Sequence, residues 1–587
     1  MGEIETDVLV LGGGPAGAWA AVSAAATGAR VVLVDKGRCG TSGPTAFGST
    51  SLWNIPPGPA RDEAVRHAYV HGGCLGDPDL MHRVLEETHL RVEQLVRWGY
   101  RFPGEGRHAG DRALRPGEPR GSSPAERRTS LRVCLDGASY LRRMRRSLLD
   151  TGVRVLDHHP ALQLLVDRDG VVSGATGVQQ HNRFRGWTVR AGAVVVATGG
   201  CAFLSGGAGT DVDTGDGLLL AAEVGAHLSG MEFSSAYGLE PVLNSAFTSG
   251  FALHFATLYD ESGAAITGHR AAAFAAIADG RRVYAALEDV PYAVRCRLSQ
   301  QGLVDHTKRV PVRAVLEGTV RGTGGLRIAG ADCATTVAGL YGAGDVTTRE
   351  PITGAVSGFG GQGGAWAIAS GVWAGAGAAR FARARGRVGQ ARAVVGAGLN
   401  PEARIDPRAV VGLVQEHTLP LRRSYWRSAG SLRDSIGELD GMWPGAEFGL
   451  GGAGADRLRA RQAAALLAVA RWTKYSALAR TESRGMHRRT DHPDVAADWR
   501  VRLTSGGLDT VWVRADARRS AGGESTPTVP ATPARREQAV TPDEALIVRE
   551  VTAGVRAAVP VTREAAPVVP PSVAGDSDLT AGDPLPL

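Results

Sequence analysis

A glycine-rich turn near the start of the chain constrains the possible folds more than any other feature. Gly12, Gly14 and Gly17 form a GxGxxG pattern between an apolar strand and an alanine-rich helix, which together fill residues 7–27. The first glycine allows a tight turn, the second lets the backbone approach a pyrophosphate, and the third lets helix and strand pack closely. A second strand at 30–34 completes a βαβ unit. The sequence therefore predicts a dinucleotide-binding α/β domain.

The residues around this turn are candidate cofactor contacts. The helix N-terminus offers unpaired N–H groups and the positive end of a dipole to the phosphates. Asp35, at the end of the second strand, can accept hydrogen bonds from both ribose hydroxyls of an adenosine. The candidate contacts from this first unit are Gly12, Gly14, Pro15, Ala16, Gly17, Asp35 and Lys36.

Three later segments indicate that the dinucleotide is FAD. Residues 193–200 (AVVVATGG) and 339–345 (GLYGAGD) are strands that end in glycine turns, and 354–371 are glycine-rich and open into an apolar helix. In flavoproteins with two dinucleotide folds, such strands return to the flavin domain after inserted material, whereas an NAD enzyme needs none of them. Asp345 would reach the ribityl and pyrophosphate region, and the helix near Gly361 would direct its positive end at flavin N1 and the C2 carbonyl. The remaining candidate FAD contacts are Thr41, Ser42, Gly43, Ala46, Thr198, Gly199, Asp216, Gly344, Asp345, Gly360 and Gly361.

Composition and charge exclude several classes of protein. At 587 residues, the chain is long enough for two to four domains. The net charge of +7 is dispersed, which argues against a nucleic-acid partner. The six cysteines contain no CxxC pair, so we expect no iron–sulfur cluster, metal site or disulfide framework. The first strand begins at residue 7, which leaves no room for a signal peptide, and no apolar run is long enough to span a membrane. We expect a soluble, cytoplasmic protein without membrane contact.

The order of motifs resembles the fumarate reductase and succinate dehydrogenase flavoprotein superfamily, which includes L-aspartate oxidase and the adenylylsulfate reductase flavoprotein subunit. The resemblance covers roughly residues 5–500. The motifs that carry it are GGGPAG (12–17), SGPTAFG (42–48), ATGG (197–200), TGDG (214–217), MEF (231–233), GLYGAGD (339–345) and ESRGMHRRTDHP (482–493). It implies an α/β fold in which a two-dinucleotide-fold FAD-binding domain carries an inserted α+β capping domain and precedes a C-terminal helical domain.

Domain boundaries follow from this organisation and from shifts in composition. The expected ranges are 1–232 and 332–380 for the FAD-binding domain, 233–331 for the capping domain, 381–505 for the helical domain and 506–587 for a largely disordered tail with one short helix at 542–551. Within the capping domain we expect a strand at 252–260, a helix at 270–278 and a strand at 283–287.

Three local patterns carry further expectations. Thr214 is predicted to be the N-cap of the helix that follows DTGDG (213–217). Residues 461–478 form the clearest amphipathic helix pattern. Residues 101–132 carry eight arginines and are either a solvated surface loop or an electropositive rim that steers an anionic substrate or an acidic electron-transfer partner.

Two departures from the superfamily pattern bear on the chemistry. Respiratory members attach FAD covalently to a histidine in the loop after the first βαβ unit, but residues 41–48 contain none, so the resemblance implies non-covalent FAD and is closer to adenylylsulfate reductase. Tyr237 stands near the position of a substrate histidine, and the segments 320–325 and 354–361 lack a second histidine and an arginine. Because a dicarboxylate clamp needs charge-assisted donors at both ends, we do not expect a succinate, fumarate or aspartate enzyme.

Three residues are candidate catalytic groups. Arg270 begins the capping-domain helix at the position where the family has an arginine that acts as active-site acid or substrate anchor; the alternative is that it pairs with an acid such as Glu261. Tyr237 is a candidate hydrogen-bond donor to substrate, and His269 is a candidate proton donor. Glu317 and Arg321 flank the returning segment and are candidate pocket residues.

Three functional hypotheses follow. The first is an FAD-dependent oxidoreductase that transfers a hydride at flavin N5 to or from a small anionic substrate that is not a succinate- or fumarate-type dicarboxylate. The second is an electron-transfer flavoprotein subunit that works with a separate ferredoxin-like iron–sulfur partner, as in adenylylsulfate reductase. The third is a flavin-binding protein without turnover.

Overall fold

The computed structural model describes residues 3–102, 132–242, 253, 256–267, 270–286, 309–358 and 361–516. The strands are β1 (Ile4–Leu11), β2 (Val31–Val34), β3 (Ser49–Trp53), β4 (Arg132–Asp136), β5 (Arg154–Leu156), β6 (Ala161–Val166), β7 (Val172–Gln179), β8 (Arg185–Val196), β9 (Leu228–Ser229), β10 (Ala236–Pro241), β11 (Thr257–Asp260), β12 (Val283–Ala286), β13 (Val310–Glu317), β14 (Gly325–Leu326), β15 (Leu340–Gly342), β16 (Arg392–Ala393), β17 (Leu503–Gly506) and β18 (Trp512–Ala515). The helices are α1 (Pro15–Ala25), α2 (Pro44–Phe47), α3 (Pro59–His71), α4 (Pro78–Arg97), α5 (Gly137–Asp150), α6 (Asp216–Glu223), α7 (Arg270–Ala278), α8 (Gly318–Arg321), α9 (Glu350–Thr353), α10 (Gln362–Arg385), α11 (Pro407–Thr418), α12 (Leu421–Ser424), α13 (Ala429–Phe448) and α14 (Gly454–Ala479).

A mixed sheet positions the candidate site. Strands β15, β8, β1, β2 and β5 are parallel, and β7, β6 and β16 extend the sheet in antiparallel order beside β8. Leu11 lies opposite Val34 and Val196, and Gly342 also lies opposite Val196. Four parallel strands, β1, β2, β8 and β15, therefore end together, and the turns that follow them meet at one edge of the sheet, where α/β proteins bind ligands.

Helix α10 packs along α1 at the distance that small side chains allow. A Cβ on Gly375 would lie 2.0 Å from the Ala20 carbonyl oxygen, and a Cβ on Gly371 would lie 2.5 Å from that of Ala16. This close approach brings the N-terminus of α10 to the same edge of the sheet as the turn before α1.

A four-stranded antiparallel sheet is inserted in the chain between β9 and β14. Strands β9 and β14 pair with each other, with Ser229 opposite Gly325, and the sheet β10-β13-β12-β11 is inserted between them together with α7. The predicted helix and second strand lie where expected, whereas the predicted first strand is shorter and begins at Thr257. The domain limits at 233 and 331 stay predictions.

Helix α14 is a buried central helix, and the amphipathic interpretation of residues 461–478 is wrong. From Ala460 to Ala479 both faces of α14 are covered, and Arg461, Arg471 and Lys474 are buried with partners inside the protein. Arg461 forms an ion pair with Glu223, and Arg471 donates to Asp440 at 2.6 Å. The regularly spaced charged residues resemble the solvent-exposed face of an amphipathic helix. They are buried instead, because partners from distant parts of the sequence bind them.

The chain remains ordered beyond residue 506, where the sequence predicted disorder. Strand β18 pairs with β17, and the Asp516 carboxylate binds Arg327 at 2.9 Å. The rest of the predicted tail, its short helix, and residues 103–131 of the arginine-rich segment lie outside the described residues. In the part of the chain that the structure covers, no helix combines the length and the apolar character needed to cross a bilayer.

Candidate functional site

The glycine turn after β1 has the geometry that the sequence predicts. Gly12 adopts φ +108°, and a Cβ on Gly17 would lie 1.9 Å from the Gly12 carbonyl oxygen. A Cβ on Gly14 would have no atom within 4 Å, so the backbone is open on that side. Gly14 caps α1 without a side-chain hydrogen bond, which leaves N–H groups near Ala16 free for a phosphate.

Asp35 is held by the turns on both sides of it. Its Oδ2 accepts from the Gly13 N–H at 2.5 Å, and its Oδ1 accepts from the Gly37 N–H at 2.7 Å. Each carboxylate oxygen keeps a second lone pair for another donor. The predicted contact between Asp35 and ribose hydroxyls stays a prediction.

The loop with Thr41, Ser42, Gly43 and Ala46 lies beside this strand end. The Thr41 hydroxyl donates to the Arg38 carbonyl oxygen at 2.9 Å, and the Ala46 N–H donates to that of Gly43 at 3.0 Å. The loop thus forms a tight turn that leads into α2.

Lys36 connects the first βαβ unit to the TGDG segment. Its ammonium group donates to the Asp216 carboxylate at 2.7 Å and to the Thr214 hydroxyl at 2.9 Å. The Thr214 hydroxyl donates in turn to Asp216. Thr214 is therefore not the helix N-cap; α6 begins after Gly215, whose left-handed backbone ends the turn. The Thr214 side chain binds Lys36 and Asp216 instead.

The two returning strands bring further predicted contacts to the same edge. Thr198 follows β8, and its buried Oγ1 has no hydrogen-bond partner among the described residues. The Gly344 N–H, after β15, donates to the Ser370 hydroxyl at 2.9 Å. Asp345 forms an ion pair with Arg349. Gly199 lies next to Asp213, a residue that the sequence analysis did not single out.

The N-terminus of α10 is a second uncapped helix end at this edge. Gly361 is its N-cap, with φ +98° and no side-chain hydrogen bond, and its carbonyl oxygen accepts from the Trp53 N–H at 3.1 Å. The 24-residue helix therefore begins beside the β3 loop without a side-chain cap, and its dipole places partial positive charge there. The predicted contact Gly360 lies outside the described residues.

Arg349 is a site residue that the sequence analysis missed. Its guanidinium group pairs with Asp345 and donates to the carbonyl oxygens of Thr319 (3.2 Å), Val320 (2.9 Å) and Gly322. It therefore ties the candidate FAD-contacting turn to the segment that returns from the inserted sheet. The signal in the sequence is an arginine placed four residues after the acid of GLYGAGD.

Arg270 is half-buried at the start of α7. Among the described residues, no carboxylate lies within salt-bridge distance of it, so it does not pair with Glu261. Burial lowers the pKa of Arg270 below its ordinary value, and the charge of nearby Glu317 opposes that shift. Glu317 also lies 3.5 Å from Arg321, four residues later in the chain. His269 lies outside the described residues.

Tyr237 has a packing role in this structure. Its hydroxyl donates to the Leu419 carbonyl oxygen at 2.8 Å, and its ring packs edge-on against Phe274 and Tyr425. Burial raises the pKa of Tyr237 above its ordinary value. Contact with substrate stays a prediction.

A buried ionic cluster links segments that are far apart in the sequence. Arg480 binds Glu232 at 3.0 Å and Glu482 at 2.8 Å, and Glu482 also binds Arg484 at 2.7 Å. His487 accepts from the Arg427 guanidinium group at 2.8 Å, and burial lowers its pKa well below the ordinary value. This cluster joins the MEF and ESRGMHRRTDHP motifs, which the sequence analysis used only as marks of resemblance.

Several features meet at one edge of the sheet: the starts of α1 and α10, the glycine turn after β1, and Asp35 at the end of β2. This is the arrangement of a dinucleotide-binding flavoprotein. Residues 7–365 match the FAD binding domain family, and residues 452–539 match the fumarate reductase flavoprotein C-terminal family. The chain belongs to the FAD-binding family of the fumarate reductase and succinate dehydrogenase flavoproteins, and its cofactor is FAD.

Curated relatives match part of the chain. L-aspartate oxidase of Streptomyces coelicolor is 30% identical over 262 residues, which are 41% of this chain and 43% of that protein. L-aspartate oxidase of Mycobacterium leprae is 30% identical over 244 residues, which are 39% of this chain and 42% of that protein. The matches thus span less than half the length of these relatives.

Solved structures share the fold over most of the chain. A variant of FrdA from E. coli quinol fumarate reductase has a TM-score of 0.73 at 20% identity and covers 90% of this chain and 99% of its own. Adenylylsulfate reductase of Archaeoglobus fulgidus has a TM-score of 0.64 at 18% identity and covers 89% and 97%. The predicted fold class is confirmed.

Proposed function

We propose that this protein is an FAD-dependent oxidoreductase that transfers a hydride at flavin N5 to or from a small anionic substrate other than a succinate- or fumarate-type dicarboxylate. The observation that carries the substrate class is the half-buried Arg270, which has no carboxylate partner among the described residues. A guanidinium group partly withdrawn from water and unpaired gains most from an anionic ligand.

The residues of this chain would bind and orient the cofactor and the substrate and would stabilise the charge that develops during the reaction. FAD, when bound, supplies the group that accepts or donates the hydride. The turn at Gly12–Gly17 and the start of α1 would bind its pyrophosphate, and the start of α10 would stabilise negative charge that develops near flavin N1. Arg270 would orient the anionic end of the substrate. Tyr237 and His269 remain the proposed hydrogen-bond and proton donors.

The Arg270 proposal predicts a loss of turnover that depends on charge. In Arg270→Gln, we expect kcat/KM to fall about 10- to 100-fold, because charge-assisted hydrogen bonds to the substrate are lost, and Arg270→Lys should recover part of it. The matched control is Arg281→Gln, which removes a more exposed arginine from the same inserted segment.

The assay follows flavin absorbance without oxygen. Holoprotein reduced with dithionite is mixed with small unsaturated monocarboxylates, keto acids and fumarate, and oxidised holoprotein is mixed with their saturated counterparts. Rapid reaction with a monoanion in the wild type and a selective loss in Arg270→Gln support the proposal. Fumarate or succinate as the best substrate would contradict it. A flavin that reacts with none of them favours a protein without turnover.

We further propose that the FAD is non-covalent, because residues 41–48 contain no histidine. Acid precipitation of purified holoprotein should release FAD into the supernatant, with the mass of free FAD. A yellow pellet that keeps its colour after washing is the outcome against this proposal. The precipitation requires no substrate, so its result is independent of the Arg270 test.

A second candidate function is an electron-transfer flavoprotein that binds a ferredoxin-like iron–sulfur partner. The eight arginines at 101–132 and the lack of a CxxC pair in this chain favour it. Association with a ferredoxin should then be tight at low salt and weaken steeply as salt is added, as measured by sedimentation or surface plasmon resonance. Binding that does not respond to salt, or no binding, would exclude this function.

A further inference from the structure

Asp213 is a buried carboxyl group at the candidate cofactor site that the predicted FAD contacts leave out. The residue is 3% exposed, and a Cβ on Gly199 would lie 2.3 Å from its Oδ1. Its N–H donates to the Thr210 carbonyl oxygen, and its own carbonyl oxygen accepts from the Ala202 N–H, both at 2.9 Å. The main chain therefore holds the carboxyl group against the glycine turn that follows β8.

The charged groups around Asp213 would not compensate a negative charge on its carboxylate. In the described part of the chain, the neighbours that act most strongly on it are Lys36, Asp345, Asp216 and Asp211, of which only Lys36 is a cation. The Lys36 ammonium group is already bound to Asp216 at 2.7 Å. Burial raises the pKa of Asp213 well above its ordinary value; Lys36 opposes this shift and the three acids add to it. Since an unpaired buried carboxylate is costly, these surroundings favour the neutral, protonated form of Asp213.

A neutral carboxylic acid carries a proton that needs an acceptor. Neither oxygen of the Asp213 carboxyl group has a hydrogen-bond partner among the described residues: Oδ2 is enclosed by protein, and Oδ1 lies against Gly199 in the turn that follows β8. Its neighbours Gly199, Asp216 and Asp345 come from three segments that are each predicted to contact FAD. A dinucleotide bound at that turn would bring hydroxyl and phosphate oxygens, which are hydrogen-bond acceptors, toward Oδ1, for which the described residues supply no acceptor.

We propose that Asp213 contacts FAD as a neutral carboxylic acid and donates its proton to an acceptor oxygen of the dinucleotide. The neutral form also avoids repulsion between a third carboxylate and the anionic pyrophosphate. This inference rests on FAD binding, which family membership shows, and is independent of the proposed substrate.

The test compares FAD affinity in two variants and a neighbouring control. Apoprotein is titrated with FAD, and the change in flavin fluorescence gives Kd from about pH 6 to about pH 10. Asp213→Asn keeps a donor of the same shape, so we expect Kd within about threefold of wild type at neutral pH, whereas Asp213→Ala should weaken binding roughly tenfold. Asp211→Asn removes an exposed acid two residues away and should leave Kd at neutral pH unchanged; because Asp211 helps to raise the pKa of Asp213, the fall in affinity should begin at a slightly lower pH in this variant.

The pH dependence separates a proton donor from a structural carboxyl group. Wild-type affinity should fall on the alkaline side, where Asp213 ionises, and Asp213→Asn should lose that fall. Equal losses in Asp213→Asn and Asp213→Ala, or the same pH profile in wild type and Asp213→Asn, would overturn the proposal.

A second measurement decides the question if Asp213→Ala fails to fold. The infrared difference spectrum of holoprotein minus apoprotein should contain a shifted carbonyl band from a protonated carboxyl group in the wild type. The band should be missing in Asp213→Asn. Its absence in the wild type would overturn the proposal even when FAD binds normally.

Discussion

Replacing Arg480 by alanine should lower the free energy of unfolding by about 3–5 kcal/mol, because two buried carboxylates would lose their common partner. Arg480 is 0% exposed and binds Glu232 and Glu482. It also donates to the carbonyl oxygens of Trp499 (2.8 Å) and Val501 (2.7 Å). Alanine replaces none of these contacts; Glu482 keeps its ion pair with Arg484, but the Glu232 carboxylate loses the arginine that it binds in the interior.

Urea denaturation of the apoprotein, followed by circular dichroism, measures this loss as a lower midpoint. The matched control is Arg404→Ala, which breaks an ion pair whose arginine side chain is 73% exposed and should change stability by less than about 0.5 kcal/mol. Equal midpoints for the two variants would show that the Arg480 cluster does not stabilise the fold. If Arg480→Ala yields no folded protein, Arg480→Lys, which keeps the charge, should fold with a reduced midpoint.

Replacing Gly17 by alanine should weaken FAD binding by about 10- to 100-fold. The new Cβ would lie 1.9 Å from the Gly12 carbonyl oxygen, so the turn must open and move the backbone that would receive the pyrophosphate. Overpacking of this kind costs about 1–3 kcal/mol, and here much of the cost falls on the cofactor-binding conformation.

Titration of apoprotein with FAD measures the effect, and Gly437→Ala serves as the control. Gly437 also lies in a helix, but a Cβ there has no atom within 4 Å, so alanine should leave FAD affinity unchanged and raise helix stability slightly. Normal FAD affinity in Gly17→Ala would mean that the turn after β1 does not bind the cofactor.

The local parts of the site could be predicted from the sequence because their geometry follows from neighbouring residues. The spacing of Gly12, Gly14 and Gly17 determines a strand, a turn and a helix within a few residues of one another. The turns after β8 and β15 were predicted in the same way. Because the carboxyl ends of parallel strands lie at the same edge of a sheet, the turns after β1, β8 and β15 are expected to lie close together.

The errors and omissions arose where a residue's partner is distant in sequence. Thr214 has the chemistry of an N-cap, but its hydroxyl binds Lys36, which lies 178 residues away. Arg461 has the chemistry of a solvated helix face, but it is buried against Glu223. Asp213 belongs to a quoted motif, yet that motif does not reveal that the carboxyl group is buried and has no ion-pair partner among the described residues.

The sequence by itself determined the class of cofactor, the order of the segments that would hold it and the superfamily, because these depend on short glycine patterns and their succession. Only the tertiary structure decided which charged groups are buried and which are paired. Arg480 lies between two carboxylates, Arg349 binds the segment that returns from the inserted sheet, and Asp213 is buried with no ion-pair partner among the described residues. Burial and pairing depend on distances between segments, which no local sequence pattern specifies. In the protein interior, those distances determine the free-energy cost of burying each charged group.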